Sequence, residues 1–457
     1  MNKLSRILAI GGILTAFTAA EAQNTNTGYF LDGYTYRYQL NPAFGGKRGF
    51  VGIPLFGNAN VGVQGNIGLS SLIYKRDGRT VLFTNPMVST EEVLKGFPDD
   101  ARLQVNTRAN ILSFGFKGFG GYNALSVNVR LNSFTGIPNT FVKLAKEGLR
   151  NTRYDLSNVG QFSNAFVEIG LTHSRDIKLV PGLRVGATVK FLAGLCMIDT
   201  DLKSANLTLD HDSWNVESNA DMYLALPKAQ FEFKRNDAGR QYINGVNLDG
   251  DGSIAPQGYG FAVDLGATFD FYGITFSAAL LDLGFINYSN TLYASTDGLH
   301  TVRTDAFTFN INDDAEHSFD NEIDRLEDQL NDLYQLNDKG KVSRNVAIGT
   351  TLNLGAEYKL PIFKPLSFGI LNSTYIRGKY TWNETRVSAN LAPCNFFSVS
   401  ASGSVGTFGS QFGWLVSLHP KGINIFAGMD AIVGKLSKQF VPLNTHANLN
   451  IGLNVTF

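Results

Sequence analysis

After residue 22, the sequence has no apolar run long enough for a transmembrane helix. The stretch that comes nearest, 179–198, is interrupted by Arg184 and Lys190. A helix needs about 20 consecutive apolar residues to cross a bilayer, so a helical membrane protein is not indicated. Hydrophobic residues nevertheless make up 44% of the 457 residues. They must therefore be distributed in some other pattern.

The sequence also lacks an excess of either charge. Lysine and arginine together number 39, and so do aspartate and glutamate. A nucleic-acid-binding protein carries a basic surface, and a membrane-surface protein often carries a polybasic segment. The sequence shows neither, so nucleic acid is not an expected partner.

Signals for catalysis are equally scarce. The six histidines are scattered without the spacing of metal ligands, and no Gly-x-Ser-x-Gly motif is present. We therefore predict that the protein is not an enzyme, although a catalytic triad assembled in space stays open as an alternative.

The first 22 residues have the pattern of a secretory signal peptide. Lys3 and Arg6 precede the apolar segment Ile7–Ala20, and Ala20-Glu21-Ala22 is a small-x-small cleavage site. The expected mature chain begins at Gln23 and is exported. Cys196 and Cys394 then lie in an oxidising compartment, which favours a disulfide.

The last twelve residues alternate between apolar and polar side chains, as a strand with two different faces does. One face carries Leu449, Ile451, Leu453, Val455 and Phe457. The other carries Asn448, Asn450, Gly452, Asn454 and Thr456. An outer-membrane barrel closes on such a strand, with its apolar face toward lipid. We expect the barrel-assembly machinery to bind through Phe457; the alternative is an edge strand of a soluble sandwich.

Similar alternation recurs along the chain, and it places charged residues on the polar face. In Phe261–Phe271, for example, Asp264 and Asp270 oppose a row of Phe, Val and Leu. Charged side chains are costly in a dry protein core but ordinary in a polar lumen. The pattern therefore favours an all-β, closed antiparallel transmembrane β-barrel in the outer membrane, in contact with its lipid.

The connections predict the topology of this barrel. Short Gly- and Pro-containing turns alternate with long connections, as periplasmic turns alternate with external loops. The expected wall strands are 59–70, 101–117, 121–134, 160–175, 183–198, 258–271, 274–288, 345–360, 365–378, 382–391, 395–406, 409–419, 422–433 and 447–457. They make about 14 strands in a barrel domain of 59–457, and hairpins hidden in 199–257 or 300–312 would allow 16. This topology places Cys196 and Cys394 at opposite ends, so we predict that they are unbridged.

Three loop segments have helical patterns. Ser89-Thr90-Glu91-Glu92 forms a capping box, Pro138–Arg150 is amphipathic, and Asp320–Tyr334 has leucines at helical spacing beside an acidic face. Short helices are therefore expected in the external loops. For Asp320–Tyr334, a solvated helix on the barrel rim and a partner-binding helix are both open.

Residues 23–58 are aromatic and irregular, which predicts a hatch segment that folds inside the barrel or leads into it. Several segments together resemble an uncharacterised family of outer-membrane β-barrels (domain of unknown function family 5723), akin to barrels of the long-chain fatty-acid transporter type. They are Tyr29–Ala43, Gly260–Ala267, Leu281–Ile286, Val387–Pro393 and Gly428–Ala431. Asn41-Pro42-Ala43 also resembles the hatch motif of those transporters. The resemblance implies a barrel of about 14 strands with an N-terminal hatch, but no substrate.

Charged residues on the polar strand faces are candidates for the lumen. They are Arg130, Glu168, Arg184, Lys190, Asp264, Asp270, Asp282, Glu357 and Asp430. Their mixed signs favour a network of ion pairs and hydrogen bonds that joins hatch and wall, and a selectivity lining is the alternative.

One loop has the first half of a calcium-binding pattern. Asn247, Asp249, Asp251 and Ser253 offer oxygen atoms at alternate positions, with Gly252 at the sixth place. The bidentate glutamate of the twelfth place is missing, because Gly258 stands there. A Gly/Asp turn and a weak calcium site are the two interpretations, and no other cofactor is expected.

Two functions follow from this sequence. The protein is either a passive conduit for a small hydrophobic molecule, or a non-transporting scaffold or adaptor barrel for cell-surface or secretion partners. An aromatic cavity near the hatch would favour the first function. A lumen packed solid by the hatch would favour the second.

Overall fold

The computed structural model describes residues 25–67, 71, 73–147, 153–155, 159–210, 213–235, 239, 241–248, 255–296, 298–302, 336–431 and 447–457. Three predicted features lie outside these residues. They are the signal peptide 1–22, the acidic helix Asp320–Tyr334, and the calcium-loop residues Asp249, Asp251 and Ser253.

The described part of the chain is almost entirely β-structure. The strands are β1 Phe50–Gly52, β2 Ala59–Gly65, β3 Ile73–Arg76, β4 Arg79–Leu82, β5 Asp100–Gly118, β6 Gly121–Pro138, β7 Arg153–Asp155, β8 Gly160–Asp176, β9 Leu183–Asp210, β10 Ser213–Ala225, β11 Gln230–Arg235, β12 Gln241–Asn247, β13 Gly258–Phe271, β14 Ile274–Ser295, β15 Gly298–Val302, β16 Asn337–Ala347, β17 Thr350–Lys359, β18 Leu366–Ile376, β19 Trp382–Cys394, β20 Phe397–Gly406, β21 Gly409–Leu418, β22 Ile423–Met429 and β23 Ala447–Thr456. The helices are α1 Thr90–Lys95 and α2 Asn139–Glu147, and 3-10 turns cover Asn26–Gly28, Thr35–Gln39, Pro42–Phe44 and Gly378–Tyr380.

The large sheet closes on itself through the first and last wall strands. β23 pairs with β22 on one side and with β1 and β2 on the other. β1 and β2 in turn pair with β5. Because β1 with β2 and β16 with β17 each occupy one wall position, the barrel has 14 antiparallel strands. The prediction of a closed barrel of about 14 strands is therefore confirmed, and the wall strands that the structure describes leave no free sheet edge.

Alternation in the sequence becomes a separation of two faces in the wall. On β13, Phe261 is 62% exposed on the outer face, whereas Asp264 is 2% exposed on the inner face. On β23, Leu449, Ile451 and Val455 are exposed and Asn450 and Asn454 are buried. A soluble sandwich would bury the apolar face, so this arrangement belongs to a lipid-facing barrel. Within the described ranges, none of the helices is both long enough and apolar enough to cross a membrane.

The turns at one end of the barrel are short, and two of the two-residue hairpin turns there have positive φ at both positions. In the turn Phe119-Gly120 the φ values are 53° and 72°, and in the turn Tyr272-Gly273 they are 48° and 83°. Positive φ at both positions suits the twist of a tight hairpin and explains the glycine at the second position. We call this end of the barrel the turn end, and the opposite end the loop end.

At the loop end, several strands continue beyond the wall. β9 is 28 residues long, and its far half pairs with β10, which also pairs with β14 and β15. A strand rises about 3.3 Å per residue, so β9 is much longer than an apolar band of roughly 25 Å. The sequence left hairpins within 199–257 open, and β9–β10 and β11–β12 are found there, but they add no position to the wall.

The described loop helices begin where the sequence predicts. Ser89 caps α1, because its hydroxyl accepts a hydrogen bond of 3.2 Å from the Glu92 amide. α2 lies within the amphipathic stretch Pro138–Arg150. Cys196 and Cys394 are both free, as predicted from their separation in the topology.

Candidate functional site in the barrel lumen

The inner face of the barrel is occupied at the turn end by residues 25–49, which we call the hatch. It folds as three 3-10 turns. The predicted segment 23–58 was expected to fold inside the barrel or lead into it, and its residues Phe50–Gly52 pair with β5 and β23 in the wall.

The hatch has an apolar core that contacts the wall on several sides. The core residues are Tyr29, Phe30, Leu31, Tyr34, Tyr36, Tyr38 and Leu40, all buried. Tyr34 packs edge-on against Phe426 with ring centroids 5.0 Å apart. Tyr36 packs against Phe50 at 5.5 Å and exchanges a hydrogen bond of 2.7 Å with Ser113. The hatch therefore fills the turn-end part of the lumen.

Asn41-Pro42-Ala43 contacts the wall where two strands carry glycine. A Cβ atom on Gly186 would lie 2.4 Å from the Pro42 carbonyl carbon, and one on Gly266 would lie 2.1 Å from Asn41 Oδ1. Asn41 Oδ1 also accepts a bond of 2.9 Å from the Ala43 amide, which caps the short turn. Arg184 Nε donates a bond of 2.6 Å to the Ala43 carbonyl. Among the predicted lumen residues, Arg184 is thus one that holds the hatch to the wall.

A group of six buried charges lies on the loop-end side of this contact. We call it the central ion cluster: Arg108, Arg130, Lys190, Glu168, Asp264 and Asp282. Lys190 Nζ is 2.7 Å from Asp264 and 2.6 Å from Asp282. Arg130 Nη1 is 2.7 Å from Glu168 and 2.9 Å from Asp282. Three positive and three negative side chains balance, as burial of charge requires.

The cluster also fixes an irregularity in the wall. Asp282 has a φ of 60°, and the register of β13 with β14 shifts between Val263 and Leu265. A carboxylate oxygen of Asp264 accepts a hydrogen bond of 2.7 Å from the Asp282 amide. This hydrogen bond stabilises the left-handed conformation of Asp282, which is uncommon for a residue other than glycine.

Asp430 belongs to a second ionic group between wall and hatch. It accepts hydrogen bonds of 2.8 and 2.7 Å from the amides of Asn26 and Thr27. Arg386 lies 3.8 Å from Asp430 and 3.0 Å from Glu384. Arg386, Glu384 and Arg108 were not among the predicted lumen residues, although alternation along β19 and β5 places them on the inner face.

The remaining predicted residues have separate surroundings. Glu357 is buried and accepts a bond of 2.6 Å from the Ser367 hydroxyl. Asp270 is exposed near the turn end and accepts a bond of 2.5 Å from the Thr275 hydroxyl. Asn247 ends β12, and no group of three or more potential metal ligands occurs among the described residues.

Beyond the central ion cluster, toward the loop end, the lumen is lined by aromatic side chains. We call this the aromatic cluster: Phe134, Phe162, Phe166, Tyr288, Tyr375, Tyr380 and Trp382, with Leu192, Met197 and Ile286 beside them. Phe134 stacks on Tyr375 with centroids 5.7 Å apart, and Tyr375 stacks on Trp382 at 6.0 Å. The guanidinium of Arg377 lies over Phe162 at 3.6 Å from the ring centroid. Within the described chain, Trp382 Nε1 and the Tyr380 hydroxyl have no hydrogen-bond partner.

Two small cavities adjoin these groups. One, of about 20 Å³, is lined in part by Arg130, Asp282 and Tyr375. The other, also about 20 Å³, is lined in part by Trp382 and Asp430. A cavity needs roughly 10–15 Å³ to hold a water, so each has room for about one water molecule.

A family model described as "Family of unknown function (DUF5723)" matches residues 42–430. The chain belongs to this family. The resemblance noted in the sequence is thereby confirmed, and the match runs from Pro42 and Ala43 of the hatch motif through every wall strand except β23.

Solved barrels similar to this DUF5723 protein include three bacterial examples. The Pseudomonas putida toluene transporter TodX is 9% identical, with 95% of each chain covered and a TM-score of 0.40. The Ralstonia pickettii toluene transporter TbuX is 8% identical, with 94% of this chain and 99% of that chain covered and a TM-score of 0.39. A Pseudomonas aeruginosa FadL homologue is 9% identical, with 96% and 99% covered and a TM-score of 0.37. No curated protein matches the sequence.

Proposed function

We propose that this protein is a passive outer-membrane conduit for a small hydrophobic molecule, with the hatch as its gate. The aromatic cluster inside the lumen is the observation that carries the proposal. The interior of an open aqueous barrel is polar, whereas sites for apolar ligands are lined by aromatic and aliphatic side chains. The aromatic side chains at the loop end would contact such a molecule once they move apart, because the two cavities beside them each hold about one water.

The rest of the lumen explains why a gate is needed. Between the aromatic cluster and the turn end lie the central ion cluster and the packed hatch. An apolar molecule cannot replace the ion pairs of buried charges, so passage through them is unfavourable. The cavities found there are the size of one water, and flux therefore requires movement of the hatch or of the cluster.

Binding at the aromatic cluster can be measured through Trp382. The chain has three tryptophans, and Trp214→Phe with Trp414→Phe leaves Trp382 alone. We expect a small brominated hydrocarbon to quench the fluorescence of Trp382 with saturation, because heavy-atom quenching requires contact. The unbrominated hydrocarbon should compete for the site.

The matched control keeps only Trp414, which lies on the outer face of β21 among detergent or lipid. Its quenching should rise with probe concentration without saturation or competition. Equal, unsaturable quenching of both tryptophans would show that the aromatic cluster is not a binding site.

The alternative function, a non-transporting scaffold or adaptor for cell-surface or secretion partners, is favoured by one observation. The apolar core of the hatch is completely buried, and it packs the turn-end part of the lumen tightly. A permanent plug of this kind needs no cargo. If the protein is a scaffold, the fluorescence of Trp382 should not be quenched by any small hydrophobic probe.

Assembly by the barrel-assembly machinery through Phe457 is part of the proposal. The Phe457 amide donates a bond of 3.0 Å to the Gly49 carbonyl, the Gly49 amide donates one of 3.0 Å in return, and the Phe457 ring stacks on Phe114 at 6.1 Å. We expect deletion of Phe457 to lower the amount of assembled barrel severely while export continues. The measurement is heat-modifiable gel mobility of outer-membrane fractions.

Phe119→Ala is the control for this deletion, because Phe119 is an exposed aromatic residue outside the closing seam. It should assemble normally. Wild-type amounts of folded barrel in the Phe457 deletion would contradict a role of this residue in closure.

A further inference from the structure

The tips of the short turns carry large apolar side chains that are almost fully exposed. Phe119 is 84% exposed, Leu179 93%, Tyr272 90% and Ile362 95%, and each belongs to a different turn. Turn residues facing water are usually small or polar. These tips adjoin the apolar outer face of the wall. The ring centroids of Phe119 and Phe116 are 6.3 Å apart, and those of Tyr272 and Phe271 are 4.4 Å apart.

The same end of the barrel has an excess of positive charge. We call its exposed basic residues the turn-end rim: Lys47, Arg48, Lys117, Arg175, Lys178, Lys359, Lys364 and Lys421. The exposed acidic residues there are Asp32, Asp176 and Asp270. Eight basic side chains thus oppose three acidic ones, in a protein of zero net charge. The sequence shows no polybasic segment, because the rim is assembled from five separate parts of the chain.

The acidic residues of this end are already engaged. Asp32 pairs with Arg37 and Lys47, and Asp176 pairs with Arg184 at 3.2 Å. Asp270 accepts a hydrogen bond from Thr275. Most of the rim, in contrast, makes no ion pair with any residue that the structure describes: Lys117, Arg175, Lys178, Lys359, Lys364 and Lys421.

The loop end carries exposed charges of both signs. Lys203 pairs with Asp221 at 2.6 Å, Lys379 with Asp201 at 2.5 Å, and Arg344 with Asp199. Lys75, Lys339 and Lys341 make no ion pair with a described residue, but exposed acidic residues such as Asp77, Asp99 and Asp338 lie at the same end. The turn end differs because its exposed acidic residues are few and already engaged.

We infer that the turn-end rim binds anionic phospholipid headgroups of the periplasmic leaflet. The apolar tips enter the lipid interface, and neighbouring lysines extend to the phosphates. Lys178 adjoins Leu179, and Lys364 adjoins Phe363, so each of these turns combines an inserted side chain with a cation. Long basic side chains commonly bury their stems and keep the charge at the headgroup level. The inference rests on the periplasmic orientation of short turns and is independent of transport.

The full-length protein is incorporated into bilayers that contain equal amounts of phosphatidylglycerol and phosphatidylcholine, and the lipids that it retains after extraction in mild detergent are measured. The wild-type protein should retain more phosphatidylglycerol than phosphatidylcholine. A variant with Lys117→Gln, Lys178→Gln, Lys364→Gln and Lys421→Gln should retain the two lipids in the supplied ratio. High salt should have the same effect on the wild type, because counterions screen exposed charges.

The matched control removes four lysines from the loop end: Lys75→Gln, Lys95→Gln, Lys339→Gln and Lys341→Gln. It has the same change of net charge and should keep the wild-type preference. Heat-modifiable mobility establishes that every variant is folded. A separate variant, Leu179→Ser with Ile362→Ser, should retain less phospholipid of both kinds.

Three results would overturn the inference. The wild-type protein could show no lipid preference, or the loop-end control could lose it as completely as the rim variant. In the third, the rim variant keeps its phosphatidylglycerol and instead loses a co-purifying acidic periplasmic protein, which would make the rim a protein-docking surface.

Discussion

Lys190→Met is expected to destabilise the barrel strongly. Lys190 is buried and contacts Asp264 at 2.7 Å, Asp282 at 2.6 Å and Glu168 at 3.6 Å. Methionine is similar in length but leaves three carboxylates against two guanidinium groups. Removing one partner of a buried ion pair costs about 3–5 kcal/mol. The free energy of unfolding, measured by denaturant titration in detergent, should fall by about this amount.

Lys203→Met is the matched control, because Lys203 pairs with Asp221 but its side chain is 53% exposed. Exposed ion pairs contribute about 0.2–1 kcal/mol, so the loss should be much smaller. Combining Lys190→Met with Asp264→Asn rebalances the cluster and should restore part of the stability. If Lys190→Met and Lys203→Met were equally stable, the central ion cluster would not hold the wall together.

The wall could be predicted from sequence because lipid imposes a strict alternation on it. β13 was predicted as 258–271 and is observed as Gly258–Phe271. β9 was predicted to end at 198 but continues to Asp210. Beyond the membrane both faces of the strand meet water or other loops. Asp199, Asp201 and Lys203 therefore follow no apolar pattern, and the extension could not be recognised.

Alternation also assigned most charged residues to the inner face, but it could not show their partners. Arg130 and Asp282 are separated by 152 residues in sequence and form an ion pair of 2.9 Å. That proximity depends on the order of the five wall strands β6, β8, β9, β13 and β14. The left-handed φ of Asp282 is likewise invisible in the sequence, because only a small fraction of aspartates adopt it and no local motif marks this one.

The aromatic cluster was harder to predict than the ionic groups. Phe134, Phe162 and Phe166 lie on inner faces near strand ends, where an apolar residue inside a polar lumen breaks the expected alternation. When one strand is considered alone, such a break cannot be distinguished from a wrong assignment of the strand's two faces. The closed barrel shows that the aromatic side chains at these breaks lie at one level of the lumen and face one another.

Locking the hatch to the wall should stop flux through the proposed conduit. A Cβ atom on Gly33 would lie 2.2 Å from Ser398 Oγ. The Cβ of Ser398 is bonded to that oxygen, so the two Cβ atoms would lie close enough for two sulfur atoms to bridge them. We therefore expect Gly33→Cys with Ser398→Cys to form a disulfide, in a background where Cys196 and Cys394 are replaced by serine. His419 must turn aside, because its Cε1 lies 2.6 Å from the same position.

Gly33→Ala with Ser398→Cys controls for this steric change, since it adds the Cβ atom without the bond. It should keep the flux of the background protein. The disulfide itself is verified by mass spectrometry under non-reducing conditions.

The most direct measurement is the initial rate at which a small hydrophobic fluorescent probe enters cells that carry the disulfide variant, before and after reduction. Under oxidising conditions the rate should fall to that of cells lacking the protein, and reduction should restore the rate of the alanine control. A gated conduit predicts this reversible loss. An uptake rate that is the same with the hatch locked and unlocked would contradict it.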